Sequence, residues 1–321
     1  MRPTRGFIRF AWTVLVYDVA VIAWGALVRA TGSGAGCGYH WPTCNGQVVP
    51  RSPRLETLVE FTHRATSGVA LLLVVALVLW ARRALPRGHA ARKAAAFSLV
   101  FTVSEALLGA GLVLFGWVAQ DASAGRGWAM SLHLLNTFLL LASLALTVAW
   151  SAPPSGAGWS PSGVGLRVLV AVGMAAMLLA GVTGAIAALG DTLFPSTSFA
   201  EGLAQDLGGG AHVLLRLRVF HPVAATLAAV LLLGIAYVAT AAGGQRAVQR
   251  VAAVLVTVAS LQLIAGLVNL LLLAPVWLQL VHLVLADVAW IALVVLAAWT
   301  VGAGEAAGAT GPAAEPAAQR G

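Results

Sequence analysis

The chain has 321 residues, of which 60% are hydrophobic and only 9% are charged. Soluble domains carry about 25% charged residues, so this composition excludes an ordinary soluble protein and indicates a polytopic membrane protein. The formal net charge of +8 would suit a nucleic-acid-binding protein, but the arginines lie in short segments between apolar runs, where they set membrane orientation. We therefore expect no nucleic-acid partner and direct contact with membrane lipid.

Eight apolar runs are long enough to cross a bilayer, which takes about 20 helical residues each. The first begins too near Met1 and continues too far for a cleaved signal peptide. The sequence thus predicts an all-α membrane protein whose eight transmembrane helices cover 9–28, 58–80, 94–118, 128–150, 164–188, 214–240, 249–272 and 277–301.

Basic residues are concentrated on one side of the predicted bundle, at the N-terminus and in the loops after the second and sixth runs. Cytoplasmic loops carry the excess of arginine and lysine, so both termini are predicted to be cytoplasmic and the protein to lie in the cell membrane. The residues are Arg2, Arg5, Arg9, Arg82, Arg83, Arg87, Arg92, Lys93, Arg246 and Arg250.

An internal repeat divides the chain into two halves of four helices. The run AGLV at 110–113 recurs at 265–268, 155 positions later. Four helices per half give both halves one orientation, which predicts a pseudo-two-fold axis along the membrane normal. The predicted divisions are an N-terminal half (1–150), a linker (151–163), a C-terminal half (164–301) and a disordered tail (302–321).

Four histidines lie at one depth, a few residues inside the second, fourth, sixth and eighth runs, near their outer ends. They are His63, His133, His221 and His282. A single such histidine is most simply a hydrogen-bonding partner of a neighbouring helix. Four in repeat register instead predict two pairs of axial ligands, one pair for each of two haems. The remaining histidines are expected not to be haem ligands: His40 and His89 lie in loops, and His212 lies at the surface before the sixth run.

A carboxylate distinguishes the two halves. Glu60 lies one helical turn before His63, with Arg64 beside it, whereas the matching position before His221 is Arg218. We therefore predict chemistry on the porphyrin of the first half and a permanent cofactor in the second. The simpler interpretation of Glu60 is that it orients His63 or pairs with Arg64.

Three further groups of residues have two interpretations each. Arg216 and Arg218 are candidates for binding haem propionates or for ordinary anchoring at the interface. Cys37 and Cys44 in the first outer loop predict a structural disulfide or a dithiol that relays electrons. Glu105 and Asp287 lie within apolar runs, where a carboxylate is either functional or bonded to another helix.

These motifs together resemble the haem A synthases, and the resemblance covers about residues 7–301. It rests on the run WGALVRATGSG at 24–34, on Cys37 with WPTC at 41–44, and on EFTHR at 60–64. The other three histidines lie where that family carries its remaining haem ligands.

The resemblance implies oxidation of the C8 methyl group of haem O to a formyl group by successive hydroxylations, with haem b as redox cofactor. It implies that His63 and His133 bind the substrate haem O, with Arg64 beside it, and that His221 and His282 ligate haem b. Glu60 matches the family's essential carboxylate. Some bacterial members carry a second cysteine pair, which this sequence lacks. A complex with the haem O-forming synthase and a homo-oligomer are further expectations.

Two other functions remain open from the sequence. A dihaem electron-transfer cytochrome would bind two identical haems permanently and would have no need of Glu60. A haem transporter would bind a single exchangeable haem. The presence of Glu60 in only one half disfavours both.

Overall fold

The computed structural model describes residues 4–153, 164–241 and 245–300, and helices dominate these segments. Eight spans are long and apolar enough to cross a membrane, so the chain is a multi-pass membrane protein, as predicted. Most of the predicted linker and all of the predicted tail lie outside the described residues. The helices are α1 (Arg5–Ala30), α2 (Leu55–Ala84), α3 (Ala90–Leu114), α4 (Ala124–Ser151), α5 (Val164–Leu193), α6 (Phe199–Leu207), α7 (Val213–Arg218), α8 (Phe220–Ala241), α9 (Arg246–Leu271) and α10 (Val276–Thr300).

The third span ends earlier than the predicted residue 118. Helix α3 stops at Leu114, and Gly116 follows in the left-handed conformation with φ of 72°. The amide of Gly116 bonds to the Val113 carbonyl and that of Trp117 to the Leu112 carbonyl. This is a Schellman cap, in which glycine adopts a positive φ without steric cost and so ends the helix despite the apolar sequence beyond it.

The sixth span is broken, and a short helix precedes it that the sequence analysis did not predict. Pro222 lacks an amide hydrogen and its ring crowds the carbonyl four residues earlier, which accounts for the break between α7 and α8 at Val219. Helix α6 begins at a hydrogen bond from the Glu201 amide to the hydroxyl of Ser198. The spacing Ser-x-x-Glu is a capping-box signal that would have found this helix.

The two halves meet along α4 and α10, the most buried of the eight spans. Phe138 and Trp290 stack there with ring centroids 5.2 Å apart, and the Trp290 indole donates to the Phe138 carbonyl at 2.7 Å. Aromatic stacking and a satisfied indole make this a specific contact between halves. The pseudo-two-fold axis itself stays a prediction.

Arg29, at the end of α1, joins the two halves at the end of the bundle that carries Cys37 and Cys44, here called the disulfide end. Its guanidinium donates to the Ala188 carbonyl at 2.7 Å and to the Thr192 hydroxyl at 2.8 Å on α5, and to Gln279 on α10 at 2.7 Å. Charge-assisted bonds in a planar fork fix relative position well, so Arg29 sets the spacing of the halves where the candidate site lies.

Candidate functional site

The connection between α1 and α2 folds back onto the start of α2. A disulfide joins Cys37 to Cys44 within it. A Cβ on Gly36 would lie 2.4 Å from the Glu56 carbonyl oxygen, so only glycine permits this approach. The Thr57 hydroxyl donates to the Gly36 carbonyl at 2.8 Å. The loop closed by the disulfide, residues 37–44, is thereby held against the first turns of α2.

Glu60 lies beneath this disulfide loop and is only 3% exposed. Its Oε2 accepts a hydrogen bond from the Cys37 amide at 2.8 Å, and its Oε1 forms an ion pair with Arg64, four residues later on α2. Burying a carboxylate is costly unless charge and hydrogen bonds compensate, and both are present. The carboxylate is therefore fixed in one orientation.

Arg64 links Glu60 to the disulfide loop. One nitrogen, Nη1, donates to the carbonyls of His40 and Thr43, both at 2.7 Å, while Nη2 faces Glu60. The pairing of Glu60 with Arg64, which was the simpler interpretation of Glu60, is thus observed, together with contacts to the loop that the sequence analysis did not predict. A contact of Arg64 with substrate stays a prediction.

Replacing Arg64 with lysine is expected to loosen the disulfide loop. Lysine keeps the charge but lacks the planar fork that reaches two carbonyls and a carboxylate together. Loss of one charge-assisted hydrogen bond is worth about 1.5–3 kcal/mol, so reduction of Cys37–Cys44 by a small thiol should accelerate about tenfold or more. Arg54→Lys, at the start of α2 without a side-chain capping bond, is the matched control. An unchanged reduction rate would contradict this role of Arg64.

Three of the four predicted histidines lie against a glycine of a neighbouring helix. A Cβ on Gly25 would meet the His63 ring at 2.9 Å, and one on Gly184 would meet the His221 ring at 3.0 Å. These two glycines lie on α1 and α5, the first helices of the two predicted halves. The third contact joins Gly266 of α9 to His282 at 3.1 Å. Because glycine has no side-chain carbon, each of these imidazoles fits between two helices.

The structure brings His221 and His282 together in the C-terminal half. Their ring centroids lie 6.3 Å apart, with the ring planes at 90°. Two imidazoles on opposite sides of one metal place their centroids about 6 Å apart, because each metal–nitrogen bond is about 2 Å. Their polar neighbours are neutral: Thr183 lies 3.3 Å from Nδ1 of His221, and Gln262 lies 3.2 Å from Nε2 of His282. The centroid spacing is that of two imidazoles on one iron, whereas Nε2 of His282 faces Gln262 in this structure.

The pair in the N-terminal half has a different environment. Glu105 of α3 approaches Nδ1 of His133 to 3.2 Å. Nδ1 of His63 is buried and has no hydrogen-bond partner among the described residues. One histidine pair thus includes a carboxylate contact that sequence spacing could not reveal, because Glu105 and His133 lie on different helices.

Arg218 is held by two aspartates. It donates to Asp191 at the end of α5 at 2.8 Å, and it pairs with Asp206 of α6. Arg216 donates to the Gly209 carbonyl at 2.7 Å. Both arginines lie at the disulfide end before His221, as the sequence indicated. Their binding of haem propionates stays a prediction.

The other ionisable residues lie outside these clusters. His40 is exposed, while His89 and His212 accept backbone hydrogen bonds as N-caps of α3 and α7. Asp287 is fully buried in α10, and neither carboxylate oxygen has a partner among the described residues. Within that part of the chain, no group of three His, Cys, Asp or Glu side chains could hold a metal ion. A haem iron needs only two protein ligands.

Sequence comparison shows which known proteins this chain is similar to. The family COX15-CtaA, described as cytochrome oxidase assembly protein, matches residues 8–294. A protein of Thermus thermophilus named protoheme IX farnesyltransferase is 49% identical over 292 residues, which are 90% of this chain and 47% of that protein. The chain thus spans about half the length of this relative.

Proteins named heme A synthase match shorter stretches. That of Halalkalibacterium halodurans is 38% identical over 137 residues, or 43% of this chain and 45% of its own length. That of Alkalihalophilus pseudofirmus is 41% identical over 125 residues, or 39% and 41%. Each of these matches spans less than half of either protein.

Proposed function

The chain belongs to the cytochrome oxidase assembly protein family COX15-CtaA, and we propose that it is a haem A synthase, an oxidoreductase that converts the C8 methyl group of haem O to a formyl group. The observation that carries the proposal is Glu60, a buried carboxylate fixed by the Cys37 amide and Arg64. It lies one turn from His63 and has no counterpart in the other half. An enzyme that alters only one of two haems requires such an asymmetry.

We assign the substrate to the N-terminal half and the cofactor to the C-terminal half. His63 and His133 would hold haem O, and His221 with His282 would hold haem b, for which the 6.3 Å ring separation is suited. Haem b, when bound there, supplies a one-electron redox centre. Arg216 and Arg218 would meet its propionates at the disulfide end.

Glu60 is suited to two tasks in this reaction. Conversion of the methyl to the formyl group by two hydroxylations and loss of water removes four electrons and, with one water consumed overall, four protons. A one-electron acceptor outside the chain takes the electrons. The carboxylate of Glu60 can stabilise positive charge that develops at the carbon, or it can accept a proton from the attacking water. Arg64 and the Cys37 amide keep it in place, and the disulfide loop covers it.

We propose that the disulfide end faces the outside of the cell membrane. Arg82, Arg83, Arg87 and Lys93 lie at the opposite end, in or beside the connection from α2 to α3, as the positive-inside rule requires for a cytoplasmic side. The Cys37–Cys44 disulfide would then form in an oxidising compartment. Both haem sites would lie near the outer face.

The relative named protoheme IX farnesyltransferase supports a partnership with the enzyme that makes haem O. A chain of roughly twice this length contains a region 49% identical to it, so a second region of similar size accompanies that region there. We propose that haem O passes to this chain from a farnesyltransferase in direct contact. Co-purification of the two proteins at native expression levels is the expected result. Conversion of haem O at an undiminished rate without association would contradict it.

The farnesyltransferase name does not favour that activity for this chain. Prenyl diphosphates are bound through Mg²⁺ held by clustered carboxylates. The described residues contain no acidic or histidine cluster of that kind. The transferase activity therefore belongs, in our proposal, to the part of the relative that this chain does not match.

Chromatography of the haems extracted from the purified protein, co-expressed with a source of haem O, tests the proposed function. We expect haem b together with haem O, its hydroxylated intermediate or haem A. Two haem b molecules per chain and no modified haem would instead identify a dihaem electron-transfer cytochrome. A single haem that exchanges freely would identify a transporter.

A further inference from the structure

We propose that Glu105 is a positioning residue for the substrate haem. When the haem is bound, its carboxylate accepts the Nδ1 hydrogen of His133, which directs Nε2 to the iron of haem O and makes the imidazole a stronger ligand. This inference rests on the proposed function, since it takes His133 as a ligand of the substrate. It gives a role to a carboxylate within a membrane span that the reaction itself does not use.

The contact joins two adjacent helices. Oε1 of Glu105 on α3 lies 3.2 Å from Nδ1 of His133 on α4. The side chain of His133 remains 25% exposed, so the ring keeps an accessible edge. Nδ1 itself is buried and lies within ion-pair distance of Glu105, but its alignment is not that of a hydrogen bond, so the ring must turn slightly to donate to the carboxylate. The second ring nitrogen of a histidine ligand normally donates its hydrogen to a carboxylate, a carbonyl or water. That partner selects the tautomer that binds metal.

The carboxylate of Glu105 is itself held as an acceptor. The side-chain nitrogen of Asn136 donates to Oε2 of Glu105 and, at 2.9 Å, to the Phe101 carbonyl. The side-chain oxygen of Asn136 accepts from the Ser104 hydroxyl at 2.6 Å. The Thr137 hydroxyl contacts Oε1. The side chains that contact Glu105 can therefore all donate, so the carboxylate needs no proton of its own to satisfy them. The acceptor is therefore already in place for the ring of His133 to turn towards it.

The C-terminal half has no equivalent. The hydroxyl of Thr183 contacts Nδ1 of His221, whereas Gln262 contacts Nε2 of His282, whose Nδ1 has no hydrogen-bond partner among the described residues. Among the described residues, His133 is the only histidine within ion-pair distance of a carboxylate. The two halves thus differ in the second partner of their ligands as well as in Glu60.

The difference has a consequence for the iron. A carboxylate that accepts the Nδ1 hydrogen increases the basicity of an imidazole ligand. The stronger ligand stabilises ferric over ferrous iron, so Glu105 lowers the reduction potential of the haem in the N-terminal half only. Greater electron donation also favours removal of electrons from the porphyrin that is to be oxidised.

An anaerobic potentiometric titration of the holoprotein, co-expressed with a haem O source, tests the inference. Glu105→Gln should raise the midpoint potential of one of the two haems and weaken retention of haem O about 10–100-fold. Thr137→Val removes a donor that competes for the carboxylate, so it should shift the same potential downward. Opposite shifts confined to one haem are not expected from a merely structural role.

The outcomes separate this inference from the proposed function. Unchanged potentials in both variants, or equal shifts of both haems, would overturn the role of Glu105 while leaving the enzyme proposal intact. Wild-type protein that holds two haem b molecules or a single haem would overturn the proposed function itself. If Glu105→Gln fails to retain haem, Thr137→Val keeps the carboxylate and still decides by the direction of its shift.

Discussion

Glu60→Gln is expected to stop haem A formation while both haems remain bound. Glutamine has the same shape and can still accept the hydrogen bond from the Cys37 amide, but it carries no charge and is a poor base. A positioned general base contributes about 10²–10⁴-fold to a rate, so the yield of modified haem should fall by at least that lower factor. The measurement is chromatography of extracted haems, with haem O expected to accumulate in place of haem A.

A nearby glutamate provides the matched control. Glu56 lies one turn earlier on α2 and is exposed, so Glu56→Gln removes the same charge from the same helix without touching the buried site. It should retain activity. Normal haem A production by Glu60→Gln would refute the catalytic assignment of Glu60.

The number and order of the helices could be predicted from the sequence because apolar runs of bilayer length have few alternatives. The predicted ends were less accurate, since they depend on local backbone conformations. Gly116 ends α3 within an apolar segment, and Pro222 divides the sixth span. The capping box at Ser198, in contrast, is a signal of the sequence alone and marks the start of α6.

The candidate site could be predicted in part. Glu60 and Arg64 share a helix, so their pairing follows from spacing four residues apart. The contact of Glu60 with the Cys37 amide depends on how a loop folds, and a backbone group leaves no trace in side-chain patterns. Arg29 bonds to Gln279, 250 positions away, and no periodicity relates them. Contacts of this kind are decided by helix packing, which the periodicity of a single sequence does not reveal.

The second large effect is expected from the histidines of the C-terminal half. His221→Ala and His282→Ala should each abolish stoichiometric haem b and, with it, haem A formation. Removal of one axial ligand leaves the iron bound by a single imidazole, and neither Thr183 nor Gln262, the polar neighbours of these rings, is a good iron ligand. Absorbance spectra and pyridine haemochrome quantitation of the purified variants provide the measurement.

His212→Ser is the control, because serine also caps a helix N-terminus and so preserves the start of α7. It should keep two haems per chain.

The two histidine pairs must also respond separately: His221→Ala should spare haem O, whereas His63→Ala should spare haem b. If His221→Ala removed both haems from a protein that still folded, the sites would depend on one another, and division into a substrate half and a cofactor half would fail. Loss of haem b alone in His221→Ala and of haem O alone in His63→Ala would instead mean that each half binds its own haem. Glu60 would then act on a haem that is bound only by the N-terminal half.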